Sequence, residues 1–131
     1  MEKNKIDGKI IIPAGRKPWP HEMRVASILA KAGFTVEFIQ ESTIRSADIL
    51  LNGVEFEIKS PFTSKLDKIE RNIKRGLKQS NSIIIDSSRI KNMKDSVLLS
   101  FLIRKLKEQK QIDKLILITK RGEIVDINSL I

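Results

Sequence analysis

"ADILLNGVEFEIKSP", residues 47–61, is the stretch on which the fold turns. Asn52-Gly53 is the sharpest short hairpin signal a sequence offers, because a type I′ turn needs positive φ at both central residues. Apolar residues flank it, so 47–51 and 54–59 are predicted as paired strands. A two-residue loop at 52–53 sets Leu51 opposite Val54, Leu50 opposite Glu55, Ile49 opposite Phe56 and Asp48 opposite Glu57. Alternation puts Val54, Phe56 and Ile58 on one face, and Glu55, Glu57 and Lys59 on the other. Asp48 shares that second face, with Lys59 diagonally beside it.

Opposed like charges with Cβ atoms about 4.5–5.5 Å apart repel and weaken a sheet. A divalent cation between the carboxylates would offset that repulsion. Lys59 would then stand beside the ion, where it could hold an attacking water or stabilise a charged phosphorus centre. A plain solvated face carries the same alternation, and the residues by themselves leave both readings open.

Working outward, "WPHEMRVASILAKAG" (19–33) reads as a helix, with Pro20 in the first turn, Glu22 at the positive end and Gly33 as the stop. "FTVEFI" (34–39) alternates like a strand. Residues 64–79 are predicted helical, "SIIID" (82–86) a buried strand, and 95–110 a further helix. "KLILIT" (114–119) and "EIVDI" (123–127) flank a turn at Arg121-Gly122. Residues 1–18 read as a mostly irregular arm, with room for a short strand at 9–12. The expected chain is a single α/β domain over 1–131: the arm, a motif-bearing core at 20–86, and a C-terminal helix and hairpin at 90–131, with a mixed central sheet flanked by helices.

Composition narrows the chemistry. The 131 residues suit one domain, and 40% hydrophobic content suffices for a core. The absence of cysteine excludes disulfides and thiolate sites, and a single histidine excludes a multi-histidine zinc centre. Any metal must sit mainly on carboxylates, which suits Mg²⁺ or Mn²⁺. No run of about 18 apolar residues exists, so no membrane-spanning segment is expected, and "MEKNKIDGK" lacks the apolar region of a signal peptide. The net charge of +9 favours a polyanion, nucleic acid first and anionic membrane second, although a merely lysine-rich surface carries the same charge; the partner expected is nucleic acid and not membrane. With five Phe, one Trp and no Tyr, an extended base-stacking platform is not expected.

The spacing D-x(8)-E-x-K on this order of elements resembles the PD-(D/E)XK nuclease superfamily. That resemblance implies a restriction-endonuclease-like core with Asp48 and Glu57 as metal ligands and Lys59 as the catalytic lysine. It also implies that Glu22, on the preceding helix, completes the metal site, and that Gln79 in "KQSNSIIID" is the glutamine found after the lysine in several branches. Ala47 stands where the superfamily's proline would be. The stretch from "PHEMRVASILAKAGFTVEF" through the hairpin to "LKQSNSIIID", about residues 20–86, is more specifically similar to the C-terminal tRNase toxin domains of contact-dependent growth inhibition (CdiA-type) proteins. An RNase acting on tRNA, delivered into a target cell's cytoplasm by a larger secreted toxin and restrained by an acidic immunity protein, is what the likeness implies. The chain carries no delivery region, which makes it an excised domain or a stand-alone relative. A DNA endonuclease of the restriction, repair or mobile-element kind is the alternative enzyme, and a non-catalytic nucleic-acid-binding module the alternative outside catalysis.

Other residues are read with two roles each. On helix 64–79, Leu66, Ile69, Ile73 and Leu77 form an apolar stripe, opposite Lys65, Lys68, Arg71, Arg75 and Lys78. The basic stripe is either a solvated face or a phosphate track. Glu22 is either a metal ligand or a complement to the helix dipole. His21 is structural, or positions a water or phosphate. Trp19 is expected to pack on the first helix rather than stack on a base. Ser60, Thr63 and Ser64 either cap the next helix or contact a phosphate. Gln79 orients the catalytic water or lysine, or closes its helix.

Overall fold

The computed structural model describes residues 7–40 and 46–131. Residues 1–6 of the expected arm lie outside the described residues. The elements run β1 (Ile10–Ile11), α1 (Pro20–Lys31), β2 (Val36–Phe38), β3 (Ile49–Leu51), β4 (Val54–Lys59), α2 (Leu66–Gly76), β5 (Ser82–Asp86), α3 (Asp95–Glu108), β6 (Lys114–Ile118), β7 (Ile124–Asp126) and a 3₁₀ turn at Ile127–Leu130. The strands form one sheet in chain order. β4, β5 and β6 are parallel, joined through α2 and α3. β2–β3–β4 and β6–β7 are antiparallel, and β1 joins the edge parallel to β2. The mixed α/β architecture expected from the sequence is the one observed.

The hairpin closes as the sequence dictates. Leu51 pairs with Val54, and Asn52 and Gly53 take φ of 47° and 87°. Asn52 also fastens the turn to the entry of β2: its Oδ1 accepts the Thr35 N–H at 2.8 Å, and its own N–H donates to the Thr35 carbonyl at 2.8 Å. At the far end of the chain Gly122 turns the second hairpin with φ 86°.

Two apolar clusters sandwich the sheet. Val25, Ala26 and Leu29 of α1 meet Phe38, Ile49, Phe56, Ile58 and Ile84. Ile69 and Ile73 of α2 and Leu98, Phe101 and Leu102 of α3 meet Ile83, Ile85, Leu115 and Leu117. All five residues of β5 are buried because helices cover both of its faces. Phe56 and Ile58 therefore face α1, and Glu57 and Lys59 face α2. Val54, expected beside Phe56 in the core, is half exposed because it sits at the turn.

Two further expectations need correction. α2 spans Leu66–Gly76 rather than 64–79. At its start the Thr63 hydroxyl accepts the Lys65 N–H at 3.0 Å and holds that residue extended. At its end residues 77–79 form a turn, with the Gln79 and Ser80 amides both returning to the Gly76 carbonyl. Trp19 does not pack on α1; it is 67% exposed, and it serves the helix start through its backbone.

Candidate functional site

Of the side chains that the sequence singles out, Asp48, Glu57 and Lys59 meet where β3 and β4 diverge. The antiparallel ladder of β3 stops at Ile49. The next rung would take the Ile58 N–H to the carbonyl of residue 47. Instead the chain slips, as at a β-bulge: the Asp48 N–H donates to the Phe56 carbonyl at 3.1 Å, and the Asp48 carboxylate accepts the Ile58 N–H at 2.8 Å. Asp48 is thus not the directly opposed ladder partner of Glu57 that the sequence suggested. The slip still brings the two carboxyl groups within hydrogen-bonding reach of each other. Lys59 Nζ lies 3.4 Å from Glu57 Oε2, with the lysine side chain 23% exposed.

Burial sets the electrostatics. Glu57 is 7% exposed. Desolvation, and then the charge of Asp48, push its carboxyl up from 4.5 to about 7, against the pull of Lys59. Asp48 is raised too, first by desolvation and further by the field of Glu22, while the Ile58 amide opposes the shift. The two desolvated carboxyls offer an all-oxygen donor set of the kind that suits a hard divalent cation, and the Lys59 ammonium beside them is a charge partner and not a ligand. Among the described residues no three acidic or histidine side chains form a metal-holding group.

Protonation of Glu57 has a measurable consequence for stability. Unfolded, the group titrates near 4.5, and folded near 7, so the folded chain binds more protons across that window. Stability in the absence of divalent ions is therefore fullest below pH 4.5 and is lost as the pH rises through 7. Thermal melts between those limits should slope downward for the wild type and be flatter for Glu57→Gln. Identical slopes would mean that Glu57 is not the group responsible.

Glu22 is occupied elsewhere. Its Oε1 accepts the Trp19 N–H at 2.8 Å, which closes the first turn of α1, and its Oε2 lies 3.5 Å from Arg16 Nη2. Both side chains of that ion pair are buried. The expected three-carboxylate cluster is not formed; Glu22 acts on Asp48 through its field. Gln79 sits close behind the site: its Oε1 accepts the Ser46 N–H at 3.1 Å, holding the segment that enters Asp48. His21 is half-buried beside Glu22 and makes no hydrogen bond among the described residues. Ser60 caps no helix; its hydroxyl donates to Asp86 at 3.0 Å. Lys65, Lys68, Arg71, Arg75 and Lys78 are all exposed, with Arg71 3.6 Å from Asp67.

Sequence reasoning missed two supports. Gly76 lies over the site: a Cβ there would stand 3.4 Å from Lys59 Cε and 3.5 Å from Glu57 Cγ. Its signal was a glycine inside a helical pattern. Asp86, fully buried at the end of β5, accepts from Arg24 Nη1 at 2.7 Å, from Ser60, and from the amide and hydroxyl of Ser88. An acid closing a continuous apolar strand was the only hint of it.

The sequence matches the family described as the contact-dependent growth inhibition CdiA C-terminal domain over residues 45–124. The structure resembles a chain in a solved structure, the CdiA-CT/CdiI toxin and immunity complex from Burkholderia pseudomallei. The TM-score is 0.66 at 18% identity, covering 90% of this chain and 97% of that one. At that identity the likeness carries the fold alone. No curated protein matches the chain.

Proposed function

The chain belongs to the contact-dependent growth inhibition CdiA C-terminal domain family, a family of toxin domains, and from that premise we propose that it is a metal-dependent endonuclease of the PD-(D/E)XK kind, acting on RNA, with tRNA as its substrate. The observation that carries the reading is the half-buried Asp48 beside the buried Glu57, with Lys59 Nζ 3.4 Å from Glu57. A fold gains nothing by desolvating two carboxyls side by side and raising both of their pKa values, whereas a site that must hold a cation does.

Asp48 and Glu57 would hold Mg²⁺ or Mn²⁺. Once bound, such an ion supplies a water of lowered pKa and Lewis acidity toward a phosphate oxygen. Asp48 is aimed by the Ile58 amide, and the segment entering it by Gln79. Lys59 directs its ammonium at the phosphate, where negative charge grows as the bond to the leaving oxygen breaks. Its stem is confined beneath Gly76, which limits its freedom to swing away. The basic face of α2 would track the backbone, and Ser60 serves as a structural anchor rather than a phosphate contact.

RNA as substrate, action in the cytoplasm of a target cell and an acidic immunity partner complementary to the basic face all belong to this proposal. The solved relative is named as a toxin and immunity complex. The experiment is a digest of total RNA and of plasmid DNA with and without Mg²⁺. Cleavage of RNA alone, only with the cation, supports the reading; cleavage of plasmid alone makes the chain a DNA endonuclease.

Within this scheme Glu22 is a structural residue. Glu22→Gln keeps the oxygen that accepts the Trp19 N–H but removes the charge facing Arg16, so a stability loss of about 1–3 kcal/mol is expected. The rise in melting temperature produced by Mg²⁺ should be the same as in the wild type. A smaller rise in the variant would return Glu22 to the metal site.

A further inference from the structure

Immediately beyond the site lies an open groove of about 490 Å³, lined among others by Ser60, Phe62, Lys68, Arg71, Arg75 and Arg89. Two covalent links tie it to the candidate centre: Ser60 follows Lys59, and Arg75 precedes Gly76, which rests on the Lys59 and Glu57 stems. Four cations line the groove and no acid does. Phe62 is 70% exposed, the most exposed large apolar side chain among the described residues. It is not simply loose. The Arg89 guanidinium lies over one face of its ring, 3.8 Å from the centroid. Arg89 is itself fixed, donating its Nε and Nη2 hydrogens to the Ser60 carbonyl. At 70% exposure most of the ring's surface stays open to a ligand.

We propose that this groove is a nucleotide subsite, in which Lys68, Arg71 and Arg75 take a backbone phosphate and the open face of Phe62, held by Arg89, stacks the adjoining base. The inference rests on the nuclease reading and deepens it. An aromatic ring flanked by phosphate-binding cations suits a single-stranded segment, whose bases have exposed π faces, better than a duplex, whose bases are already stacked. A single ring is enough for one base, so the scarcity of aromatics rules out only a long platform. Stacking tolerates every base, so the subsite would favour unpaired nucleotides at this position without reading their identity.

The test uses the full chain carrying Lys59→Ala, without divalent ions, so that nothing is cut. Two probes of equal length are titrated by fluorescence anisotropy: an unstructured RNA octamer, and the same sugar–phosphate backbone without bases. Adding Phe62→Ala should weaken binding of the octamer by about fivefold or more and leave the abasic probe unchanged. Phe62→Trp should keep the octamer's affinity, and Phe62→Leu should behave like alanine. Equal affinity of parent and Phe62→Ala for the octamer would overturn the subsite, as would an equal loss on both probes, which would make Phe62 a shape contact with the backbone. The digest separates the two levels. If the wild type cuts RNA but Phe62→Ala loses no affinity, the nuclease reading stands and the subsite falls. If the wild type neither cuts nor binds any polyanion, both fall.

Discussion

Lys59→Ala is expected to slow phosphodiester cleavage by about 10²–10³-fold, the usual cost of removing one group that stabilises developing charge. Asp48→Ala and Glu57→Ala should abolish the cation response altogether, because each leaves a single carboxylate to hold the ion. None of the three should unfold the chain. At neutral pH Glu57→Ala removes a desolvated carboxyl held up near 7 beside Asp48, so metal-free stability should hold or rise. The measurements are single-turnover cleavage and melting temperature with and without Mg²⁺. Full activity in Asp48→Ala would end the proposed mechanism. Full activity in Lys59→Ala alone would pass the charge-stabilising role to another cation and leave the carboxylates in place.

The largest loss of stability is expected at Asp86, away from the reacting groups. Its carboxylate is fully buried and accepts four hydrogen bonds, one from the Arg24 guanidinium at 2.7 Å. Asp86→Ala leaves that guanidinium facing an apolar side chain and orphans the hydroxyls of Ser60 and Ser88. Breaking a buried pair from one side costs about 3–5 kcal/mol, out of a total near 5–15 kcal/mol. The Arg24 side chain is 30% exposed and also donates to the Thr119 and Lys120 carbonyls, so the lower end applies. Asp86→Asn keeps the acceptor facing Arg24 and should lose less than half as much. Urea melts of both variants decide it. A loss under about 1 kcal/mol in Asp86→Ala would mean that Arg24 finds water or its two carbonyls without penalty.

The Asn52-Gly53 turn, the alternation of 54–59, the helical stripe of Ile69 and Ile73 and the apolar run of 82–86 are local signals, and each forms the element its period and turn chemistry require. Glu57 and Lys59 were legible as neighbours on one face because strand alternation fixes them within a single element. Asp48 was legible as their partner only to within one residue of register. The slip that aims its carboxylate at the Ile58 amide depends on how β3 leaves β4, and no local propensity encodes it. Glu22 could not be placed from the sequence because a glutamate in a first helical turn looks alike whether it faces a metal, the helix dipole or an arginine; the structure pairs it with Arg16. Asp86 acts through Arg24, 62 residues away, Arg89 through Ser60, 29 away, and Gly76 through the stems of Lys59 and Glu57 on another element, and chain separation hides such contacts from any reading by period. The sequence by itself determined the elements, their order and the acids that could share a site, because those follow from turn chemistry and side-chain alternation. Only the tertiary structure decided which of those acids meet, because that depends on the slip at Asp48, the burial that raises Glu57 and the distant side chains that hold the strand ends.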